Sequence, residues 1–208
     1  MRFLAVLALA FWAQPAAAAS VTLSPSADVG LPFWCDWGYD WDERCYRDEG
    51  ARLPVGGVDD KVWRSAIRFS LAPVPANAAI VSAELRLYHD GTCVAPRKTT
   101  VGCDGTGYLL EAHRIVSRDW FHERELDFAP DPAASAFLAD SAAAGWVTFD
   151  LTALVTDWRE VSAENDGALI QLCDCQEWYD VSGPAFPSSS FGDASRRPRL
   201  VVSYTLEG

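Results

Sequence analysis

The chain has 208 residues, half of them hydrophobic, with 29 acidic against 17 basic side chains and a formal net charge of −12 at pH 7. That length suits one domain able to bury its own core. So acidic a surface repels nucleic acid and anionic lipid, which excludes both as partners, and it disfavours anionic polysaccharide for the same reason.

The first 19 residues, MRFLAVLALAFWAQPAAAA, place Arg2 before an apolar run from Phe3 to Trp12 and end on small residues at Ala17 and Ala19. This is the layout of a secretory signal cleaved between Ala19 and Ser20. The run is shorter than the ~20 residues that span a bilayer, and no second run of that kind follows. The expected product is a soluble, secreted single domain over 20–208, extracellular or periplasmic, without membrane insertion.

Residues 33–46 read FWCDWGYDWDERCY, which neither alternates like a strand nor repeats like a helix. Trp34, Trp37, Tyr39, Trp41 and Tyr46 supply flat apolar rings, and Asp36, Asp40, Asp42 and Glu43 supply carboxylates. Sugars offer apolar C–H faces rimmed by hydroxyls, so rings beside carboxylates are the composition of a sugar site. The competing reading is a small core of rings packed under a Cys35–Cys45 staple. The same carboxylates, with Asp48 and Glu49, are hard oxygen ligands suited to a structural Ca²⁺, although the spacing is not that of an EF-hand.

Strand patterns fill the rest. WRSAIRFSL sets Trp63, Ile67 and Phe69 against Arg64 and Arg68, and VSAELRLY sets Val81, Ala83, Leu85 and Leu87 against Ser82, Glu84, Arg86 and Tyr88. This period of two marks a sheet with one buried face. GYLLEAHRI, GWVTFDL, GALIQLC and PRLVVSYT add four strands, bounded by Gly, Pro, Asn and Asp. Between them, DPAASAFLADSAAA (131–144) reads as a short helix or an alanine-rich loop. LTALVTDW follows Asp150 as N-cap and spaces Leu151, Leu154, Val155 and Trp158 as one helix face. The fold class that results is all-β: an antiparallel β-sandwich of jelly-roll type with one or two short helices and long disulfide-stapled loops.

The six cysteines, Cys35, Cys45, Cys93, Cys103, Cys173 and Cys175, read as disulfides in an exported chain. Local spacing suggests Cys35 with Cys45 and Cys93 with Cys103. Cys173 and Cys175 share one strand face and either pair together or capture partners elsewhere. CDCQEWYD brings Trp178 and Tyr179 beside further carboxylates, a second candidate wall for a ligand cleft.

Six stretches in order, SADVG (26–30), RLPVGG (52–57), RSAIRFSLAPVPANAAIVSAELRLY (64–88), GWVTFDLTALVTDW (145–158), NDGALIQL (165–172) and RRPRLVVSY (196–204), resemble the DNRLRE-domain proteins and the related alginate-type carbohydrate-binding modules. The resemblance implies a secreted, non-catalytic sandwich that acts on polysaccharide or cell-surface glycan. The acidic-aromatic loop stands where those domains are polar and rich in asparagine and glycine, and the basic residues of alginate-binding members have no position-by-position match here, so no binding residue of that family is carried onto this sequence.

Enzymatic signatures are sparse. HEREL (122–126) has Leu126 where a zinc HExxH motif needs histidine, and neither a GxSxG elbow nor a recognisable nucleophilic cysteine occurs. The sequence therefore points first to a carbohydrate-binding module that uses the 33–46 loop. A cell-surface structural or adhesion protein that binds another protein is the second expectation, and a polysaccharide-degrading enzyme the third.

Overall fold

The computed structural model describes residues 18–33, 50–58, 61–95, 99–103, 105–117, 126–160, 163–176 and 182–206. In chain order these form β1 (Ala19–Leu23), β2 (Pro25–Phe33), β3 (Arg52–Pro54), β4 (Gly56–Val58), β5 (Lys61–Phe69), β6 (Ala78–His89), β7 (Thr92–Ala95), β8 (Thr99–Gly102), β9 (Tyr108–Arg114), β10 (Ala134–Leu138) and β11 (Gly145–Asp150). Then come α1 (Thr152–Arg159), β12 (Ala168–Leu172), β13 (Ala185–Pro187), a 3-10 turn (Ala194–Arg196) and β14 (Arg199–Leu206). Two antiparallel sheets carry the molecule. The first runs β1-β14-β6-β11, and the second runs β10-β9-β12-β5-β2 with β4 also on β5. Small two-stranded ribbons, β13-β3 and β7-β8, complete the set. This is the all-β sandwich that the alternation predicts.

The core lies between the sheets. Leu85, Leu87, Phe149 and Leu200 of the first sheet meet Ile67, Leu110 and Ile170 of the second, each at most 1% exposed. Full burial of a side chain such as Phe149 is worth about 1.5–3 kcal/mol. Alternation alone accounts for the first sheet, whose other face is half-buried or open. It fails for the second, where β12 is buried at every position. Val29, Leu31, Ala66 and Leu169 point away from the main core into a separate apolar cluster with Ile115, Leu126 and the half-buried Phe128. The 126–129 segment covers that face, tied down by Val116 N–H to the Asp127 carbonyl (2.9 Å) and Ala129 N–H to the Arg114 carbonyl (2.8 Å). Arg64, expected in solvent, is 8% exposed and lies 5.2 Å from the Phe128 ring centroid.

Two local expectations are corrected. Residues 131–144 contain neither a helix nor one long loop: Ala134–Leu138 is β10, paired in register with β9. Its alanines favour a helix, and pairing with the edge of β9 overrides that local preference. Val81, assigned to the core face, is 55% exposed. Opposite it, β14 pairs Ser203 with Ser82 and then Tyr204 with Ile80, so Val81 is the extra residue of a bulge and turns outward. Ile80 and Ala78 take the core side instead.

The helix at 152–159 forms one residue later than its apolar spacing suggested. Leu151 occupies the N-cap and makes no side-chain cap bond, while the Asp150 carboxylate one step earlier accepts from the Thr152 N–H at 3.0 Å. The Thr152 hydroxyl and N–H both donate to Asp150, which holds that carboxyl below its ordinary value. Leu154, Val155 and Trp158 are buried against the core beside β6. The Ala83 N–H donates to Thr152 Oγ1 (3.0 Å) and the Leu151 N–H to the Ala83 carbonyl (2.8 Å), so the helix start is stitched to β6.

Candidate protein-binding face

Trp34, Trp37, Tyr39, Trp41, Tyr46, Trp178 and Tyr179 lie outside the described residues, as do Asp36, Asp40, Asp42, Glu43 and the Cys35–Cys45 pair. Among the described residues, no group of three or more His, Cys, Asp or Glu is placed to hold a metal ion. Among the described residues two disulfides are formed, Cys93–Cys103 and Cys173–Cys175. His89 and His113 are both buried. His113 donates from Nδ1 to the Ala129 carbonyl (2.9 Å), and its Nε2 sits 3.2 Å from both Glu111 and Gln171. His89 bonds through Nε2 to the Ser141 carbonyl (2.6 Å). Both imidazoles tie strands to loops. A shallow pocket of about 190 Å³ lies between Arg114–Val116 and Ala163–Asp166, below the ~300–1,000 Å³ usual for small-molecule sites.

The outer face of the first sheet is built differently. Strand order β14-β6-β11 sets Trp146 opposite Tyr88, and Arg199 opposite Arg86. The Trp146 and Tyr88 rings meet edge to face with centroids 5.2 Å apart. The Arg199 guanidinium lies 4.0 Å from the Trp146 centroid, and that of Arg196 lies 5.3 Å from the Tyr88 centroid. Arg86 donates to Glu84 on the same strand. Two arginines directly opposite each other repel; the Trp146 face under one and the carboxylate on the other offset this. Asp193 pairs with Arg196 at 3.1 Å. Hydrogen bonds from the Ser195 hydroxyl and N–H hold the Asp193 carboxyl below its ordinary value, which keeps it ionised beside Arg196.

Trp146 nonetheless remains 37% exposed, and Arg199 Nε is buried without a hydrogen-bond partner. Tryptophan, tyrosine and arginine in contact on an open sheet are the residue types that dominate protein–protein hot spots. Next to this patch, β11 is the last strand of the first sheet, and β10 is the last strand of the second, lying against it. On β10, Phe137 is 66% exposed. The alternation of VSAELRLY already turned Tyr88 and Arg86 outward. What sequence reasoning missed is the cross-strand arrival of Trp146 and Arg199, which depends on strand order.

The family model of the TGF-beta propeptide matches residues 49–196, from just before β3 through the 3-10 turn. The chain belongs to the TGF-beta propeptide family. No curated protein matches it. This membership overturns the resemblance to DNRLRE and alginate-type modules, and with it the reading as a carbohydrate-binding module. The adhesion and polysaccharide-degrading readings give way with it, and polysaccharide is replaced as partner. The stretches that carried the resemblance are alternating strands, turn residues and a closing strand. They encode an antiparallel sandwich, and a fold does not name its ligand.

Proposed function

We propose that the chain works as a growth-factor prodomain, an exported β-sandwich that holds a TGF-beta-type growth-factor polypeptide. The family match over 49–196 carries this reading. The contact surface assigned to it is the outer face of the first sheet, centred on Trp146, Tyr88 and Arg199, with Phe137 on the neighbouring rim. Export agrees with the signal-like start and with disulfides, which persist in oxidising compartments. Among the described residues, no helix is long and apolar enough to cross a membrane.

The test is direct binding of the purified chain to mature TGF-beta-type growth factors, measured by surface plasmon resonance. Binding by the wild type is expected, with about a thirtyfold loss in Trp146→Ala and in Arg199→Ala, as for hot-spot residues. Both variants should keep the wild-type far-UV spectrum. A wild-type chain that binds none of these growth factors refutes the prodomain reading. Binding untouched by either substitution refutes the assigned face.

A further inference from the structure

The two described disulfides differ in what surrounds them. Cys93–Cys103 spans ten positions, with Cys93 2% exposed in the main core and Cys103 Sγ 3.8 Å from His89 Nε2. Cys173–Cys175 spans two positions, with Cys173 buried at the end of β12 and Cys175 exposed on the turn that follows.

That turn stands on hydrogen bonds that do not involve the sulfurs. The Cys173 N–H donates to the Leu109 carbonyl (2.9 Å), and the Gln176 N–H donates to the Cys173 carbonyl (2.8 Å). The Gln176 side chain spans the gap to the loop before β9. Its Nε2 donates to the Gly107 carbonyl (3.0 Å), and its Oε1 accepts from the Leu109 N–H (2.7 Å). A cross-link between residues already held in one turn restrains the unfolded chain very little, since that restraint grows with loop length. The bond is therefore dispensable to the fold.

We infer that Cys173–Cys175 is an exchange-active disulfide, a thiol–disulfide oxidant for a second polypeptide that carries two reduced cysteines. A substrate thiolate attacks the exposed Cys175 Sγ. The S–S bond breaks, its electron pair moves to Cys173 Sγ, and that sulfur takes a proton from water. The new thiol has an acceptor in place, Gln176 Oε1, at 3.9 Å from the sulfur. The second substrate thiolate then attacks its own sulfur in the mixed disulfide and expels Cys175 as thiolate. The substrate is oxidised by two electrons and the pair is reduced to two thiols. A low-molecular-weight disulfide such as glutathione disulfide reverses the change on the protein and completes a cycle. The exposed Asp174 between the cysteines opposes anionic thiols, so the favoured substrate carries neutral or basic residues around its cysteines.

Two measurements on the full chain test this. In the first, the chain is equilibrated in glutathione buffers of graded poise, alkylated, and read by mass spectrometry. The Cys173–Cys175 pair is expected to reach half-reduction at a [GSH]²/[GSSG] about tenfold or more below that of Cys93–Cys103, a difference of about 30 mV. Equal poise, or the reverse order, overturns the inference. In the second, a reduced two-cysteine peptide flanked by lysines is oxidised in glutathione disulfide with and without the chain. Acceleration that disappears in Cys173→Ser/Cys175→Ser is expected, and no acceleration by the wild type overturns it. The poise measurement needs no variant, so a serine variant that fails to fold leaves the test standing. Neither readout involves the growth-factor face.

Discussion

Replacing Gly167 by alanine probes how closely β12 is built against β5. Gly167 has φ +104°, where L residues are strained, and a Cβ placed on it would sit 2.5 Å from the Ile67 carbonyl oxygen and 3.2 Å from Arg68 Cβ. Cβ contacts below 3.0 Å are essentially never seen, so strand β5 must retreat by at least about half an ångström at a residue whose side chain is 1% exposed in the core. The backbone conformation costs about 1–3 kcal/mol, and overpacking adds about 1–3 kcal/mol. The loss of unfolded-state freedom returns only about 0.4–1 kcal/mol. The net expectation is a destabilisation of about 1–5 kcal/mol, hence a fall in Tm of roughly 2–20 °C for a domain of this size. Differential scanning fluorimetry and a urea midpoint should both report it. Gly145→Ala is the matched control: that position on β11 has no atom within 4 Å of the built Cβ and no positive φ. It should leave Tm unchanged or slightly raised. A Gly167→Ala protein as stable as the wild type would refute the strain argument, and a large loss in Gly145→Ala would remove its contrast.

Val81→Ser should change stability by no more than about 0.5 kcal/mol, as for surface sites, whereas Leu85→Ala four positions along the strand should cost about 2–5 kcal/mol; similar losses in urea melts would place Val81 back in the core. Phe149→Ala, at a fully buried position, should cost about 3–5 kcal/mol, read from the same melts, and a loss under 1 kcal/mol would contradict its packing. Burial raises the Asp90 carboxyl, but hydrogen bonds from Arg52 and Thr92 and the charges of Arg52 and His89 outweigh it and hold the group below its ordinary 3.8. A carboxyl depressed in the folded state stabilises fully above its unfolded value, and the contribution is lost as pH falls through the folded one. Arg52→Gln should therefore cost about 1–3 kcal/mol at pH 7, with the gap to wild type closing below roughly pH 4. A gap that stays constant from pH 7 to pH 3 would show that the Arg52–Asp90 pair at 2.9 Å is not its source.

Strand existence was written plainly in local alternation, and α1 in four apolar residues at helical spacing. Three features were not. The bulge at Val81 arises from how β14 pairs with β6, and nothing within VSAELRLY marks it. The apolar cluster outside the second sheet requires the 126–129 segment, far along the chain, to fold back over β5 and β12. Short apolar runs such as ALIQL reveal burial but not what covers it. The patch of Trp146, Tyr88, Arg199 and Arg196 comes from three strands and a turn spread over more than a hundred residues, so only strand order could assemble it. The acidic-aromatic loop drew attention because its signal is contiguous, and contiguous signals are those a sequence displays. The family was misread for a related reason: the stretches compared encode packing and turns, which unrelated sandwiches share.

The 126–129 segment has a consequence for how the molecule meets anything else. It plates one face of the second sheet, while the outer face of the first leaves Trp146, on its edge strand, 37% exposed beside Tyr88 and the arginines. A symmetrical sandwich could approach a partner by either broad surface and would form two competing complexes of similar strength. Here one side is already occupied by the chain itself. Polarity is thus built into the folded unit, and a partner drawn to Trp146, Tyr88 and the arginines seats on the first sheet's outer face and not on the second's.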